Sequence, residues 1–525
     1  MAYEPGSFSD ARPWLVEPER MTWRAGIDAL RAETQARLPE LVRARGLPPL
    51  DRFAGAGFRL GAALAAWAAL ERRRAQPEAR AALSRRLRRA FEQLGPAYIK
   101  LGQIVSSGRG LFPDEVVDEF ASLRDRVPPE PFPAVQRVVE EDLGRPLREV
   151  FLSFEPESMA AASIAQVHAA RLVTGEPVVV KVQRPQVERL VRSDLRAMAW
   201  IAPFLVGRIP VAALANPPAL VELFAETISE ELDFRLEAEN MLDIARLLRD
   251  AGQTVVVVPR PHPSLVTRRV LVMERLEGYT IAQADEMRAA GIDTAGVLRA
   301  LLIAFLEGAM IHGVFHGDLH AGNLFVMPDG RVALLDFGMT GRMTPRQRTA
   351  FMRMMVTGFT NDLPAHLAAY RDLGALPEDA DLEALMRDLK LDKPPVDPTQ
   401  LTGQELVAEI QGVLKHLLAH GARLPKHLML YVKDLMFIDG AIGDLAPDVD
   451  LFGEVARIFQ YFTATHGERI ARELGGDAQF ASIDLTAFKA SMGLSNEVET
   501  MTHRELVKRR EIVRKRLEEV GGPRL

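Results

Sequence analysis

His316-Gly317-Asp318-Leu319-His320-Ala321-Gly322-Asn323, separated by twelve residues from Asp336-Phe337-Gly338, is the stretch whose reading decides the fold. It reads as a loop, a strand, a tight turn and a second strand. Asn323-Leu324-Phe325-Val326 opens the first strand. Pro328-Asp329-Gly330 turns the chain, because proline presets φ and glycine tolerates positive φ. Arg331-Val332-Ala333-Leu334-Leu335 is the returning strand. Such a hairpin sets the Asn323 amide beside the Asp336 carboxylate at its open end, with Asp318 in the loop before it. Two carboxylates and an amide oxygen converging on one point hold magnesium and orient a hydroxyl or a water. Asn323 and Asp336 are the expected metal ligands, and Asp318 the group that positions the acceptor.

The spacing Asp-x-x-x-x-Asn followed by Asp-Phe-Gly is that of the kinase catalytic set, which needs three further parts. The first is a loop that covers phosphates. Ser158-Met159-Ala160-Ala161-Ala162-Ser163 is a loop of small residues, and Ile164 to Arg171 reads as the strand after it. Backbone N–H groups of Ser158, Ala160, Ala161, Ala162, Ser163, Ile164, Ala165 and Gln166 are the candidate nucleotide contacts. The second part is a strand lysine. After the turn Thr174-Gly175-Glu176, the β-branched run Pro177 to Gln183 carries Lys181 as a point charge for the α/β phosphates. The third is a helix glutamate to orient that lysine. Pro218 to Asp250 reads as one long amphipathic helix containing Glu231, Asp233 and Glu237. At about 100° per residue Asp233 and Glu237 share a face and Glu231 points away. Glu237 is therefore the candidate partner of Lys181, and Glu231 that of a second basic group. Val270 to Gly278 reads as a strand running into a hinge, its backbone at Met273 and Glu274 facing an adenine edge. Ala295 to Gly313 is an apolar helix before the catalytic loop. Thr344-Pro345 starts another so soon after Asp336 that the activation segment is very short, and no Ala-Pro-Glu follows, which argues against a polypeptide acceptor.

Composition bounds the rest. A chain of 525 residues, 48% apolar and 26% charged, is expected to be globular, with two or three domains or one bilobal enzyme with extensions. A net charge of −6 gives no nucleic-acid footprint. The absence of cysteine excludes disulfides, thiolate metal sites and thiol nucleophiles. No Gly-x-x-x-x-Gly-Lys-Ser/Thr is present, which excludes a P-loop. His312, His316 and His320 recur every four residues, but Gly313 and Gly317 break the helix a metal site would need. Residues 1–90 read as helical. Leu60 to Leu70, the longest apolar candidate, is too short to span a membrane, and is expected to be a packed helix with a basic continuation from Arg72 to Arg89. The N-terminus lacks a charged-then-apolar signal pattern, so the expected location is cytoplasmic, with peripheral membrane contact left open. Pro96 opens a helix with Lys100 and Gln103 on one face and Gly102 allowing close approach of a neighbouring backbone. Residues 344–460 read as helical apart from a linker at Lys393 to Pro398, and a final helix runs from Arg504 to Glu519.

These residues resemble one family. Ala160-Ala161-Ala162-Ser163-Ile164-Ala165-Gln166-Val167-His168 is similar to the alanine-rich loop of the UbiB/ABC1/ADCK (AarF) atypical kinases. Lys100-Leu101-Gly102-Gln103 is similar to their Lys-x-Gly-Gln signature, and Glu231-Leu232-Asp233 to their Glu-x-Asp. The resemblance implies an α+β, bilobal protein-kinase-like fold. A helical N-terminal extension would lie over the active site, with Lys100 and Gln103 meeting Glu231. The expected partition is an extension (1–90), a Lys-x-Gly-Gln segment (91–135), an N-lobe (136–275), a mostly helical C-lobe (276–460) and a helical tail (461–525). The resemblance also implies binding of ATP or ADP with magnesium, kinase or ATPase activity, and a role in isoprenoid-quinone (ubiquinone-type) or related lipid metabolism. Its ligand would be a small molecule or quinone-precursor-like lipid. Two alternatives stay open: a nucleotide-gated accessory protein with little turnover, and a soluble phosphotransferase like the aminoglycoside and choline kinases, whose catalytic loop is similar.

Overall fold

The computed structural model describes residues 6–43, 49–73, 76–106, 114–123, 128–205, 217–360, 362–391, 398–423, 425–475, 486, 489, 494 and 497–519. The fold is α+β and mostly helical. Five helices come first: α1 (Ile27–Leu41), α2 (Leu50–Leu70), α3 (Gln76–Leu94), α4 (Pro96–Ser106) and α5 (Asp114–Ala121). α6 (Phe132–Leu143) and α7 (Leu147–Val150) lead into β1 (Phe151–Phe154), β2 (Ala160–Ala161), β3 (Ala165–Leu172) and β4 (Pro177–Gln183). α8 (Val187–Leu205), α9 (Pro217–Glu231) and α10 (Phe234–Asp250) precede β5 (Val256–Val257), β6 (Pro261–Val266) and β7 (Val270–Glu274). β8 (Tyr279–Thr280), α11 (Ala284–Ala289), α12 (Thr294–Glu307), β9 (Val314–His316), β10 (Leu324–Val326), β11 (Val332–Leu334) and β12 (Thr340–Arg342) follow. The rest is helical: α13 (Pro345–Thr360), α14 (Leu363–Asp372), α15 (Leu382–Asp388), α16 (Gly403–Ala419), α17 (Lys426–Leu445), α18 (Leu451–Leu474) and α19 (His503–Glu519). Most of the expected linker, at 392–397, lies outside the described residues.

The first sheet has the order β1-β3-β4-β7-β6, all antiparallel, with β2 folded onto β3. β4 shows why one lysine is singled out. Successive strand side chains alternate between faces, so Val178, Val180 and Val182 pack into a core with Val135, Val138 and Val139 of α6. Lys181 lies between two of these valines and points to the opposite face, where α10 runs. The expected long helix is two helices. Leu232 and Asp233 interrupt it, and the Asp233 carboxylate caps α10 by accepting from the Arg235 N–H at 3.1 Å.

The second lobe contains the hairpin that the opening stretch implies. β10 pairs with β11 in the register Leu324↔Leu334 and Val326↔Val332, and Gly330 takes φ = 86° in the turn. β12 returns along β9, where Gly341 crosses Phe315 so closely that a Cβ would fall 2.1 Å from the ring. α12 buries Leu298, Leu301 and Phe305, then ends in one π-helical turn, Gly308–His312, stopped by Gly313 at φ = 73°.

Two expectations for the N-terminal region change. The described residues before α1 form a strap with two single 3-10 turns, Pro18–Arg20 and Thr22–Arg24, rather than an α-helix. Phe8, Val16, Met21 and Trp23 join the core shared by α10, β7 and the second lobe, because these side chains cover apolar surface the sheet leaves open. The apolar helix α2 begins at Leu50, not Leu60, since Phe53 and the alanines after it extend the pattern. Among the described residues, Leu50–Leu70 and Thr294–His312 are helical stretches long and apolar enough to cross a membrane. The second is a core helix; the first leaves Leu50, Phe58 and Leu70 more than two-thirds exposed, so α2 packs only along one side.

Candidate active site

Lys181 reaches across from β4 to Glu237 on the first turns of α10, with Nζ 2.7 Å from Oε1 and 3.0 Å from Oε2. The same ammonium donates to Asp336 Oδ1 at 3.0 Å. Burial pushes the Glu237 carboxyl up to about 7 despite the pull of Lys181. Burial works against the Lys181 charge too, but Asp336 and Glu237 outweigh it and hold the ammonium protonated. Asp336 sits at φ = 56°, an uncommon backbone for a non-glycine residue, held by the Gly338 N–H donating to its carboxylate. Burial would raise its carboxyl, yet Lys181 brings it down to about 2. Its side chain keeps 41% of its exposure, so it remains open to the cleft.

The hairpin sets Asn323 at the foot of β10. Its Nδ2 donates to the Asp318 carbonyl at 3.0 Å, which turns the amide oxygen outward as an acceptor. His316 is structural: Nδ1 accepts from the Asp318 N–H, and Nε2 lies 3.0 Å from the Leu335 carbonyl, so one ring ties the loop to the hairpin. Burial keeps that ring neutral. The Asp318 carboxylate forms an ion pair with Lys433 of α17. Burial opposes its charge, but Lys433 and then Lys100 keep it well below the usual carboxylate range.

α4 closes the site. Lys100 Nζ stands 2.7 Å from Glu231 Oε1, at the end of α9. Glu231 and Glu237 face different lysines, as expected, but from two helices rather than from two faces of one. Lys100, Lys181 and Lys433 thus meet Glu231, Glu237, Asp318 and Asp336, three ammoniums against four carboxylates. The Asn323 amide oxygen and the Asp336 carboxylate are hard oxygen donors, and Asp336 is held ionised by Lys181. That donor set fits magnesium held jointly with nucleotide phosphates. Among the described residues no three His, Asp or Glu gather to hold a metal by themselves.

Several expected contacts fall elsewhere. Gln103 donates to the Leu123 carbonyl at 3.4 Å, not to Glu231. Gly102 makes room for a side chain rather than a backbone: a Cβ there would lie 2.4 Å from Leu123 Cδ1. Asp233 is taken up by its cap and by the Arg235 guanidinium, Oδ2 to Nη2 2.7 Å, so it does not share the Glu237 face. The small-residue loop is partly strand, since Ala160 and Ala161 pair with Val167 and Gln166. Ile164 is buried against Tyr98 and the α8–α9 helices, and the Ala162 carbonyl accepts from Arg184. The Gln166 side chain turns away to the Glu130 backbone and His168. The Glu274 side chain leaves the hinge for the N-terminal strap, accepting from Ser9 and from the Arg260 N–H, the latter at 3.2 Å. Met273 lies buried at the end of β7. Lys433 and Asp434 are the residues sequence reasoning missed. Their only local signal is a charged pair inside the otherwise apolar middle of α17.

The model of the ABC1 atypical kinase-like domain matches residues 122–368. An uncharacterized protein of Mycobacterium tuberculosis is 37% identical over 366 residues, covering 69% of this chain and 74% of the relative. A protein of Marinobacter nauticus named probable protein kinase UbiB is 30% identical over 380 residues, covering 72% of this chain and 69% of its own. The chain belongs to the ABC1/UbiB atypical kinase-like family. A solved structure of the Mycobacterium tuberculosis protein Rv3197 with erythromycin is 25% identical, with a TM-score of 0.37, over 66% of this chain and 91% of that one. In this chain the matched residues 122–368 include the lysine–glutamate pair, the catalytic loop and the hairpin, while Lys100 and Lys433 lie outside that span.

Proposed function

We propose that this protein is a magnesium- and ATP-dependent kinase or ATPase that supports isoprenoid-quinone or related lipid metabolism. The observation that carries the chemistry is the gathering of Lys181, Glu237, Asp318, Asn323 and Asp336 around one opening. Lys181, fixed by Glu237, binds the α/β phosphates. Backbone N–H groups of the β2–β3 turn cover them. Asp318 orients the acceptor hydroxyl or water and receives its proton. Magnesium on Asn323 and Asp336 neutralises charge on the phosphates when bound. The lipid assignment is supported by the resemblance of Ala160 to His168 and Lys100 to Gln103 to the UbiB/ABC1/ADCK motifs and by α2. That helix exposes Phe58 and, at its end, Leu70, which the exposed Arg72 and Arg73 follow. Apolar side chains beside arginines suit peripheral contact of a cytoplasmic chain with an anionic bilayer.

A second reading is a nucleotide-gated accessory protein with little turnover. It is favoured by Lys100 on Glu231, which places α4 where a large acceptor would enter. The same closure counts against a soluble metabolite kinase. ATP hydrolysis measured with anionic vesicles and polyprenyl-phenol-like compounds separates these. Stimulation in the wild type, lost in Asp318→Asn, is the expected result; a flat baseline with tight ATP binding supports the accessory protein.

A further inference from the structure

The catalytic loop is gripped by two consecutive residues of α17. Asp434 is fully buried, and its Oδ1 accepts from the Leu319 N–H at 2.9 Å. Lys433, on the next spoke of the helix, sends its ammonium to the Asp318 carboxylate and lies 3.4 Å from the Gly317 carbonyl. The three site lysines have different commitments. Lys100 is matched by Glu231, and Lys181 by Glu237 and Asp336. The counter-ion of Lys433 is instead the carboxylate that orients the acceptor. Its cation therefore stands beside the group that orients the acceptor.

Resting on the kinase or ATPase reading above, we propose that Lys433 is a further catalytic residue, whose ammonium contacts the transferred phosphoryl group while it stays bound to Asp318. In that step the acceptor oxygen forms a bond to the γ-phosphorus. The bond from the γ-phosphorus to the β–γ bridging oxygen breaks, and ADP leaves with the electron pair. The acceptor proton passes to Asp318. Lys433 keeps its own proton throughout and offsets charge on the equatorial oxygens, as a lysine does at other phosphate sites. A purely structural ion pair would steady the loop, and would treat ATP and ADP alike.

The test is the affinity of the full chain for ATP and for ADP, each with magnesium, by titration calorimetry, in the wild type, Lys433→Met, Lys433→Arg, Asp318→Asn and Asp318→Asn/Lys433→Met. Lys433→Met should weaken ATP about tenfold or more, as expected for a lost charge-assisted contact, and leave ADP within about twofold. Lys433→Arg should restore most of the preference for ATP. Lys433→Met could also act by unmasking the Asp318 charge. In the double variant that charge is gone, so ATP should still bind about tenfold more weakly than to Asp318→Asn alone. Recovery of ATP affinity in the double variant, or equal shifts for ATP and ADP, overturns the inference. A wild type that binds neither nucleotide overturns the kinase reading itself, whereas normal nucleotide binding with an indifferent Lys433→Met overturns only the role of Lys433.

Discussion

At the residue scale the site is a set of charges whose environments push them apart. Glu237 is raised by burial while Asp318 and Asp336 are held down by lysines. Asp434 is the sharpest case. Burial drives its carboxyl well above the ordinary range, and its second oxygen has no hydrogen-bond partner, as suits a protonated acid. The folded state therefore keeps a proton that the unfolded chain releases near pH 4. Stability from this group is present below that pH and declines as pH rises toward the raised value. Asp434→Asn keeps the acceptor for the Leu319 N–H and removes the proton. Melting temperatures should show the variant gaining on the wild type as pH rises above about 4; a difference independent of pH would contradict a raised Asp434. Asp318, Asn323 and Asp336 were legible from a short motif with a fixed geometry and Lys181 from its strand, whereas the reading of Glu237 rests on the phase of one continuous helix that the structure breaks at Leu232 and Asp233. Lys433 and Asp434 were not legible, since only the fold brings α17 to a loop 115 residues upstream.

At the scale of elements, the hairpin was readable because turn chemistry and alternation agree along it. The α9–α10 break was not. Glu231 to Glu237 holds neither proline nor glycine, so periodicity carries straight through it. The signal was Asp233, a residue type that favours caps because its side chain accepts from the next turn's N–H. Asp233→Ala should cost about 1 kcal/mol of stability, measured by urea unfolding. It should also weaken nucleotide binding, by loosening the turn that carries Glu237. An unchanged midpoint would mean the break is held by its surroundings instead. Gln103 and Gly102 show the same limit. Sharing a helix face with Lys100 suggested a common partner, but Leu123, two residues past the end of α5, lies against both.

At the scale of the molecule, the catalytic lobes are wrapped from both ends of the chain. The N-terminal strap binds Glu274 and Arg260 behind the hinge, α4 places Lys100 at Glu231, and α17 places Lys433 at Asp318. The extension was expected to be helical over residues 1–90. Phe8, Val16 and Trp23 instead fill gaps in a core formed much later in the chain, a long-range fit that local pattern does not encode. The central claim is that this enclosed cluster binds nucleotide through magnesium and consumes it. Its most direct test is calorimetric titration of ATP with and without magnesium, alongside phosphate release, for the wild type and Asp336→Asn. The account predicts magnesium-dependent ATP binding and hydrolysis in the wild type, and loss of both the magnesium dependence and the hydrolysis in the variant. Magnesium-dependent hydrolysis retained by Asp336→Asn would contradict it.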